Sequence, residues 1–180
     1  PSITQLQNVP DLTDTLNKII GNPNLKQEFN NSFTLGYNSF NILTFKLISA
    51  NISFNTTQNK IVNDITTNGA ARTTEYANLN GSYNGRTFFT LGLPFKSPKL
   101  KGSSVNITNN LGISKDVSLV QHVLFTSKTF SVNQGVGVNI NKEKIDFGVK
   151  ANVAYNTTSY SNPLQSDIDY YTQTYSGDVT

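Results

Sequence analysis

The chain has 180 residues, a formal net charge of +3 and a sequence pI near 9.1. Only 14% of its residues are charged, against about 25% in typical soluble domains, and the few Lys and Arg are scattered, which argues against nucleic-acid binding. The lack of Cys excludes disulfides and Cys-type zinc sites, and no hydrophobic run approaches the ~18 residues of a transmembrane helix.

The first 27 residues show no long strand pattern. The stretch PDLTDTLNK (residues 10–18) predicts a short helix with Asp11 or Thr13 as its N-cap, and GNPN (21–24) is dense in turn residues. The sequence therefore predicts an irregular or loop-like segment over 1–27 that leads into a β region over 28–180. Since the chain contains no Met, we expect it to be a processed or excised piece of a larger protein.

From residue 28 onward apolar and polar residues alternate, and a side-chain period of two is typical of β-strands. A reversal of this alternation at Leu47-Ile48 predicts a β-bulge. The alternation predicts about seven long antiparallel strands: 28–37, 42–56, 72–95, 100–114, 122–140, one from 145 to the loop at 161, and one that begins near 168.

The connections between these strands are predicted to alternate in length. Short turns are expected at 38–41, 96–99 and 141–144, and longer loops at about 57–71, 114–121 and 161–167. Outer-membrane barrels alternate in this way, with short periplasmic turns and longer extracellular loops.

Strand length and polarity favour a membrane barrel over a soluble fold. Strands of soluble sheets rarely exceed about ten residues. The polar face carries Asn, Ser, Thr and Gly where a soluble surface would carry Lys and Glu. The sequence therefore predicts an all-β, antiparallel transmembrane β-barrel section, with the apolar face toward lipid and the polar face toward a wet lumen. A soluble β-sandwich is the alternative, because its strands alternate too.

Little in the sequence indicates catalysis or metal binding. His122 is the only His, and we expect it to be an exposed polar residue beside a loop. One His without Cys does not suggest a transition-metal site. Asp167 and Asp169 could contribute to a calcium site, but we expect them to solvate a loop. We therefore expect no enzymatic activity, no metal and no cofactor.

A few charged residues on the strands are candidates for a functional role. Arg86, Asp146 and Lys150 fall on the polar face, where they could line a substrate path or touch a plug. The simpler interpretation is that they pair with neighbours or water. Lys128 falls on the apolar face near the outer end, where a cation costs little and anionic lipid headgroups could attract it.

Aromatic residues are expected near both ends of the strands. Barrels place such residues at the two membrane interfaces. We expect Tyr37, Phe40, Phe95 and Phe147 near the short turns, and Tyr155, Tyr160 and Tyr171 toward the outer rim.

The stretch GNPNLKQE (residues 21–28) resembles the GNPNLKPE motif of Bacteroidetes outer-membrane β-barrel proteins of the TonB-dependent-receptor-like type. Gln27 replaces the usual Pro of that motif. The stretch from Asn59 to Gly81 is similar to the family's next hairpin, and YYTQTYSGDV (170–179) is similar to another of its strands. The residues that match the motif are Gly21, Asn22, Pro23, Asn24, Leu25, Lys26 and Glu28.

The resemblance implies a larger parent protein in the bacterial outer membrane, with a signal peptide, a plug and a barrel of about 22 strands. It implies nutrient uptake energised through TonB, by regions that this chain does not contain. The implied partners are outer-membrane lipid, the remainder of the barrel with its plug, and TonB. The alternative is a non-transporting outer-membrane barrel that binds a partner protein.

Overall fold

The computed structural model describes residues 1–9, 14, 16–142 and 145–179. Strands dominate, so the prediction of an all-β fold is confirmed. No described helix has the length and apolar character needed to cross a bilayer. The elements are helix α1 (Ile3–Leu6), a 3-10 turn (Pro98–Leu100) and strands β1 (Asn17–Ile20), β2 (Phe29–Asn41), β3 (Lys46–Gln58), β4 (Lys60–Asn68), β5 (Ala71–Leu79), β6 (Ser82–Pro94), β7 (Ser104–Val120), β8 (Val123–Lys142), β9 (Ile145–Tyr160) and β10 (Ile168–Val179).

Seven long strands form one continuous antiparallel ladder, which we call the long sheet. Its strand order is β2–β3–β6–β7–β8–β9–β10. Within the described residues β2 and β10 each pair along one side only, so the sheet is open. A closed barrel wall pairs every strand edge, so β2 and β10 are the two edges that the described residues leave open.

The register of the long sheet separates apolar from polar residues as the alternation predicted. Leu35 lies opposite Ile52, and Val105 lies opposite Val138, on the side that we call the apolar face. The other side, the polar face, pairs Asn55 with Asn84. Apolar-face side chains are largely uncovered: Phe33 is 60% exposed, Leu35 57% and Val136 50%.

The first hairpin differs from the prediction in its turn. Strand β2 continues through Asn41, so the turn covers 42–45 and not 38–41. The Asn41 carboxamide oxygen accepts hydrogen bonds from the backbone N–H groups of Leu43 and Thr44, both at 2.9 Å. Pairing runs without interruption through Leu47 and Ile48, so the predicted bulge is wrong. The apparent change of phase arose because Leu43 and Phe45 belong to the turn.

Residues 57–95 contain three strands instead of the predicted loop and single strand. The predicted loop at 57–71 is largely strand, since β4 and β5 form a hairpin there. Gly81, with φ of +100°, then separates β5 from β6. This conformation is rarely open to side-chain-bearing residues, which is why the chain breaks at the Asn80-Gly81 dipeptide.

Two further connections differ from their predicted lengths. The loop expected at 114–121 is strand as far as Val120, and a two-residue turn of Gln121 and His122 leads into β8. Both turn residues have positive φ, 51° and 62°, which suits the twist of a tight hairpin. The connection after β6 is longer than the predicted 96–99. Its ends are joined by a 3.0 Å hydrogen bond from the Phe95 N–H to the Ser103 carbonyl.

The long sheet has two unlike ends. The connections at 42–45 and 95–103 and the Lys142–Ile145 pair lie at one end, the turn end; the predicted turn at 141–144 falls partly outside the described residues. The β4–β5 hairpin, the turn at 121–122 and the connection at 161–167 lie at the other end, the loop end.

An additional substructure, the annex, lies at the loop end. It consists of residues 16–28, the β4–β5 hairpin and the tip of the β7–β8 hairpin. Two of its pairings are parallel, β1 with β5 and β4 with β7 at Asp64–Leu119, so the prediction of a purely antiparallel sheet is wrong. The reason is that β7 and β8 protrude past β6 and receive β4 alongside. Much of the predicted helix at 10–18 lies outside the described residues, and its end belongs to β1.

Candidate functional site

The polar face is the first candidate surface, because a barrel wall presents this side to its lumen. Arg86 lies on this face opposite Ser53 and Gly112, and Asp146 and Lys150 share the face on β9. The structure does not bring these three together. Lys150 pairs six residues farther along β8 than the Arg86 row does, which is roughly 20 Å at the rise of a strand. Their role in a lumen stays a prediction.

Neutral side chains bridge neighbouring strands on the polar face. The Ser32 hydroxyl donates to the Asn55 carboxamide oxygen at 2.6 Å, and the Ser49 hydroxyl donates to Asn38 at the same distance. The Thr57 hydroxyl donates to Asn30 at 2.8 Å. Polarity is therefore satisfied without net charge, and such a surface favours contact with water over specific binding of an ion.

The residues of the GNPNLK motif hold the annex together. Leu25 is buried, with 9% exposure. The Asn22 amide donates to the Tyr76 carbonyl at 2.9 Å, which ties the motif to strand β5. The Glu28 carboxylate accepts the backbone N–H of Ile61 at 3.1 Å. At Gly21 an added Cβ would lie 2.8 Å from the Thr4 carbonyl oxygen, so only Gly fits under α1. The motif therefore acts as an architectural clasp.

Asn78 and Asn59 complete this clasp, and the sequence analysis did not single them out. The Asn78 side chain accepts from the Lys26 N–H at 2.7 Å and donates to the Lys26 carbonyl at 3.1 Å and to the Asn59 carbonyl at 2.7 Å. The Asn59 amide donates to the Gln27 carbonyl at 3.3 Å. The Asn78 side chain therefore makes the hydrogen bonds that strand pairing would otherwise make between the motif and β5. Nothing in the sequence distinguishes this Asn from the others.

Asp64 and His122 join the hairpin tips. Asp64 is buried, with 5% exposure, and its carboxylate accepts the His122 backbone N–H at 3.1 Å and contacts the His122 Nδ1. The Gln121 N–H donates to the Ile65 carbonyl at 3.0 Å. The expectation that His122 is merely exposed is incomplete: its side chain is 70% exposed, yet it anchors a buried carboxylate.

Asp167 and Asp14 also serve loop structure, whereas Asp169, which we expected in a loop, lies in strand β10. Asp167 accepts the Tyr160 N–H at 2.9 Å. Asp14 accepts from the Asn17 side chain at 2.7 Å and from the Leu16 N–H at 2.9 Å, and these hydrogen bonds lower the pKa of its carboxyl. Within the described ranges, no group of three or more His, Cys, Asp or Glu is placed to hold a metal ion.

The aromatic residues are distributed unevenly between the two faces. Tyr155 and Tyr171 lie together on the apolar face near the loop end, with ring centroids 4.9 Å apart. Phe40 and Tyr160 instead belong to the polar face by register, opposite Leu47 and Ser127. The prediction that Phe40 joins a lipid-facing girdle is therefore wrong, because the register places it on the polar face. Tyr160 lies at the loop end of β9, where the sequence analysis placed it.

Comparison with known families agrees with this architecture. Residues 1–177 match the outer membrane protein beta-barrel family. Neither a curated protein nor a solved structure matches the chain. The match removes the alternative of a soluble β-sandwich. A single sheet with an uncovered apolar face, built from strands of this length, is what a barrel wall requires. The chain therefore belongs to the outer membrane protein beta-barrel family and is located in the bacterial outer membrane.

Proposed function

We propose that the chain is a section of a TonB-dependent-type importer for nutrients. In this proposal the long sheet is part of the barrel wall, and the annex shapes the external mouth above it. The observation that carries the proposal is the pairing of a bare apolar face with a neutral polar face over seven strands. The importer role is supported further by the resemblance of residues 21–28 to TonB-dependent-receptor-like barrels.

The wall function follows from backbone pairing and side-chain polarity. Every strand of the long sheet, except at its two edges, pairs on both sides, so its backbone polar groups need no water. The apolar face then meets hydrocarbon, and the Asn, Ser and Thr side chains meet water in a lumen. The edges at β2 and β10 require the remainder of the barrel as their partners.

The mouth function follows from the asymmetry between the ends. Outer-membrane barrels carry short turns on the periplasmic side and longer connections outside. The annex lies entirely at the loop end, so we assign that end to the cell exterior. Substrate would then pass the annex before it reaches the polar face.

Cysteine labelling of the full-length protein tests the orientation. The printed chain has no Cys, so Ala70→Cys in the β4–β5 turn and Thr44→Cys in the β2–β3 turn introduce unique probes here. In intact cells a membrane-impermeant maleimide should label Ala70→Cys and not Thr44→Cys, whereas broken cells should label both. Labelling of Thr44→Cys alone in intact cells would reverse the assignment.

Crosslinking to TonB tests the importer role. Full-length protein carrying a single photo-crosslinking residue at periplasmic positions should form an adduct with TonB in living cells. A correctly assembled barrel that never forms the adduct would refute the importer. That result would favour the alternative, a non-transporting barrel that binds a partner protein.

A further inference from the structure

A row of side chains crosses the loop end of the apolar face, and it contains two lysines directly opposite each other. Strand pairing aligns Tyr83 with Lys115, Lys115 with Lys128, and Lys128 with Ser159. Opposed residues in an antiparallel pair have Cβ atoms roughly 5 Å apart, and like charges at that spacing destabilise the pair. The row therefore needs a negative charge nearby.

Neither lysine has a carboxylate within ion-pair distance among the described residues, and the acidic residue that shares this face is Asp169 on β10, opposite Thr157. The two ion pairs within the described part of the chain join Lys60 to Asp116 and His122 to Asp64, and neither includes Lys115 or Lys128. The Asp116 carboxylate belongs to the polar face and is already held by Lys60. The lysine pair is therefore left for a ligand that approaches from the apolar side.

Lys128 borders a hollow of about 230 Å³ that spans β6 to β9, and Lys115 is paired with Lys128 without lining the hollow itself. The lining includes the Lys128 side chain and the hydroxyl-bearing residues Thr157 and Ser159, with Ile113 and Phe130 forming its apolar part. The Tyr83 ring stacks on Phe54 with centroids 6.0 Å apart, which fixes one wall. A cation and hydroxyl donors beside apolar residues match a phosphate attached to a lipid.

The position of the lysine row along the membrane normal matches that of a lipid headgroup. Lys115 follows Ile113 by one polar-face residue, so it lies one row beyond the row of Ile113 and Phe130. From Val105 to Ile113 the strand rises about 20 Å along the membrane normal, given 3.3 Å per residue and the usual tilt, against an apolar band of about 25 Å. The Lys115 Nζ reaches toward the turn at Gly81, where an added Cβ would lie 3.5 Å from it, and this direction leads away from the hydrocarbon.

We propose that this site, formed by Lys115, Lys128, Tyr83, Thr157 and Ser159, binds the phosphate of an outer-leaflet lipid whose acyl chains lie over Phe130 and Ile113. The assignment to the outer leaflet rests on the proposed orientation. The binding itself does not depend on transport, so either can fail alone.

Lipid retention by the full-length protein, purified in neutral detergent and measured by native mass spectrometry, tests the site. The probes are diphosphorylated lipid A and its dephosphorylated form. Wild type should bind the phosphorylated probe at least tenfold more tightly. K115Q/K128Q should lose about 30-fold, the effect expected for two cations beside an anionic lipid. Millimolar inorganic phosphate should not displace the lipid, because the acyl contacts are part of the site.

Matched variants separate the site from general charge and from folding. Lys46→Gln and Lys142→Gln remove cations from the same face at the turn end and should leave binding unchanged. K115R/K128R keeps both charges and should bind the phosphorylated probe as tightly as wild type does. Equal binding of both probes by wild type, or full binding by a folded K115Q/K128Q, would overturn the site. Displacement by inorganic phosphate would identify a free-anion site in its place.

Discussion

The long sheet and the annex are stabilised in opposite ways. Among the described residues, the three buried hydrophobic side chains are Leu25, Val62 and Val117, and all lie in the annex or in the part of β7 that it contacts. The long sheet has regular pairing but no protein core, since its apolar face is open. The annex folds as a water-soluble protein does, by covering apolar groups, whereas the sheet relies on the bilayer to do so.

The largest expected effect separates the two faces of the sheet. Val136→Arg places a cation in the middle of the apolar face and should cost about 2–4 kcal/mol of folding free energy, because the charge enters hydrocarbon. Asn133→Arg on the same strand but on the polar face should cost little. Denaturant titration of the full-length protein in lipid vesicles measures both. Equal costs for the two variants would mean that the apolar face does not meet lipid.

The annex should open without unfolding the sheet when its clasp is removed. Asn78→Ala deletes the side chain that makes three hydrogen bonds, and we expect a loss of about 2 kcal/mol of local stability. Hydrogen exchange of residues 60–79 should speed up by more than tenfold while the long sheet stays protected. Asn63→Ala, an exposed position on β4, is the control and should change nothing. Faster exchange across β8 and β9 as well would mean that annex and sheet form one cooperative unit.

A third comparison concerns two glycines of the long sheet. A Cβ at Gly85 would lie 2.9 Å from the Ile113 Cγ1 and 3.1 Å from Phe54, so Gly85→Ala should cost about 1–2 kcal/mol through overpacking. At Gly36 the nearest atom would be 3.5 Å away, and Gly36→Ala should be neutral. Denaturant titration of the full-length protein in lipid vesicles measures the cost of both substitutions. A neutral Gly85→Ala would show that the apolar face repacks freely within lipid.

The smallest expected effect lies at the junction of the two regions. Lys60 pairs with Asp116, and their side chains are 28% and 60% exposed. Lys60→Gln should therefore cost less than about 1 kcal/mol, and the loss should shrink further in high salt. Hydrogen-exchange rates of the annex, compared at low and high salt, measure this loss of stability. A cost above that of Asn78→Ala would make this ion pair, and not the clasp, the main attachment of the annex.

Strand periodicity predicted the faces well and the connections poorly. The alternation around Leu35, Val105 and Val138 follows from local chemistry, since each residue alone favours lipid or water. The periodicity missed the β4–β5 hairpin, which the resemblance of residues 59–81 had indicated, because Asn63, Thr66 and Thr67 resemble loop residues. Their strand conformation depends on the pairing with β5. The tight turn at Gln121-His122 contains no glycine, so the local sequence does not predict it.

The candidate sites divide in the same way. The position of Lys128 on the apolar face could be read from the sequence, because it depends only on the period of two. Its pairing with Lys115 depends on the register between β7 and β8, which the hairpin turn sets. The contact between Asp64 and His122 joins residues far apart in the chain and required the folded annex.

The sequence by itself determined which side chains share a face, the neutral character of the polar side and the membrane as the solvent of the apolar side. These properties follow from composition and from the geometry of a single strand. Only the tertiary structure decided where β4 and β5 pair, what the GNPNLK residues hold, and which charges meet across strands. These features depend on hydrogen bonds between segments that are distant in the chain, and the local sequence of either segment does not predict such bonds.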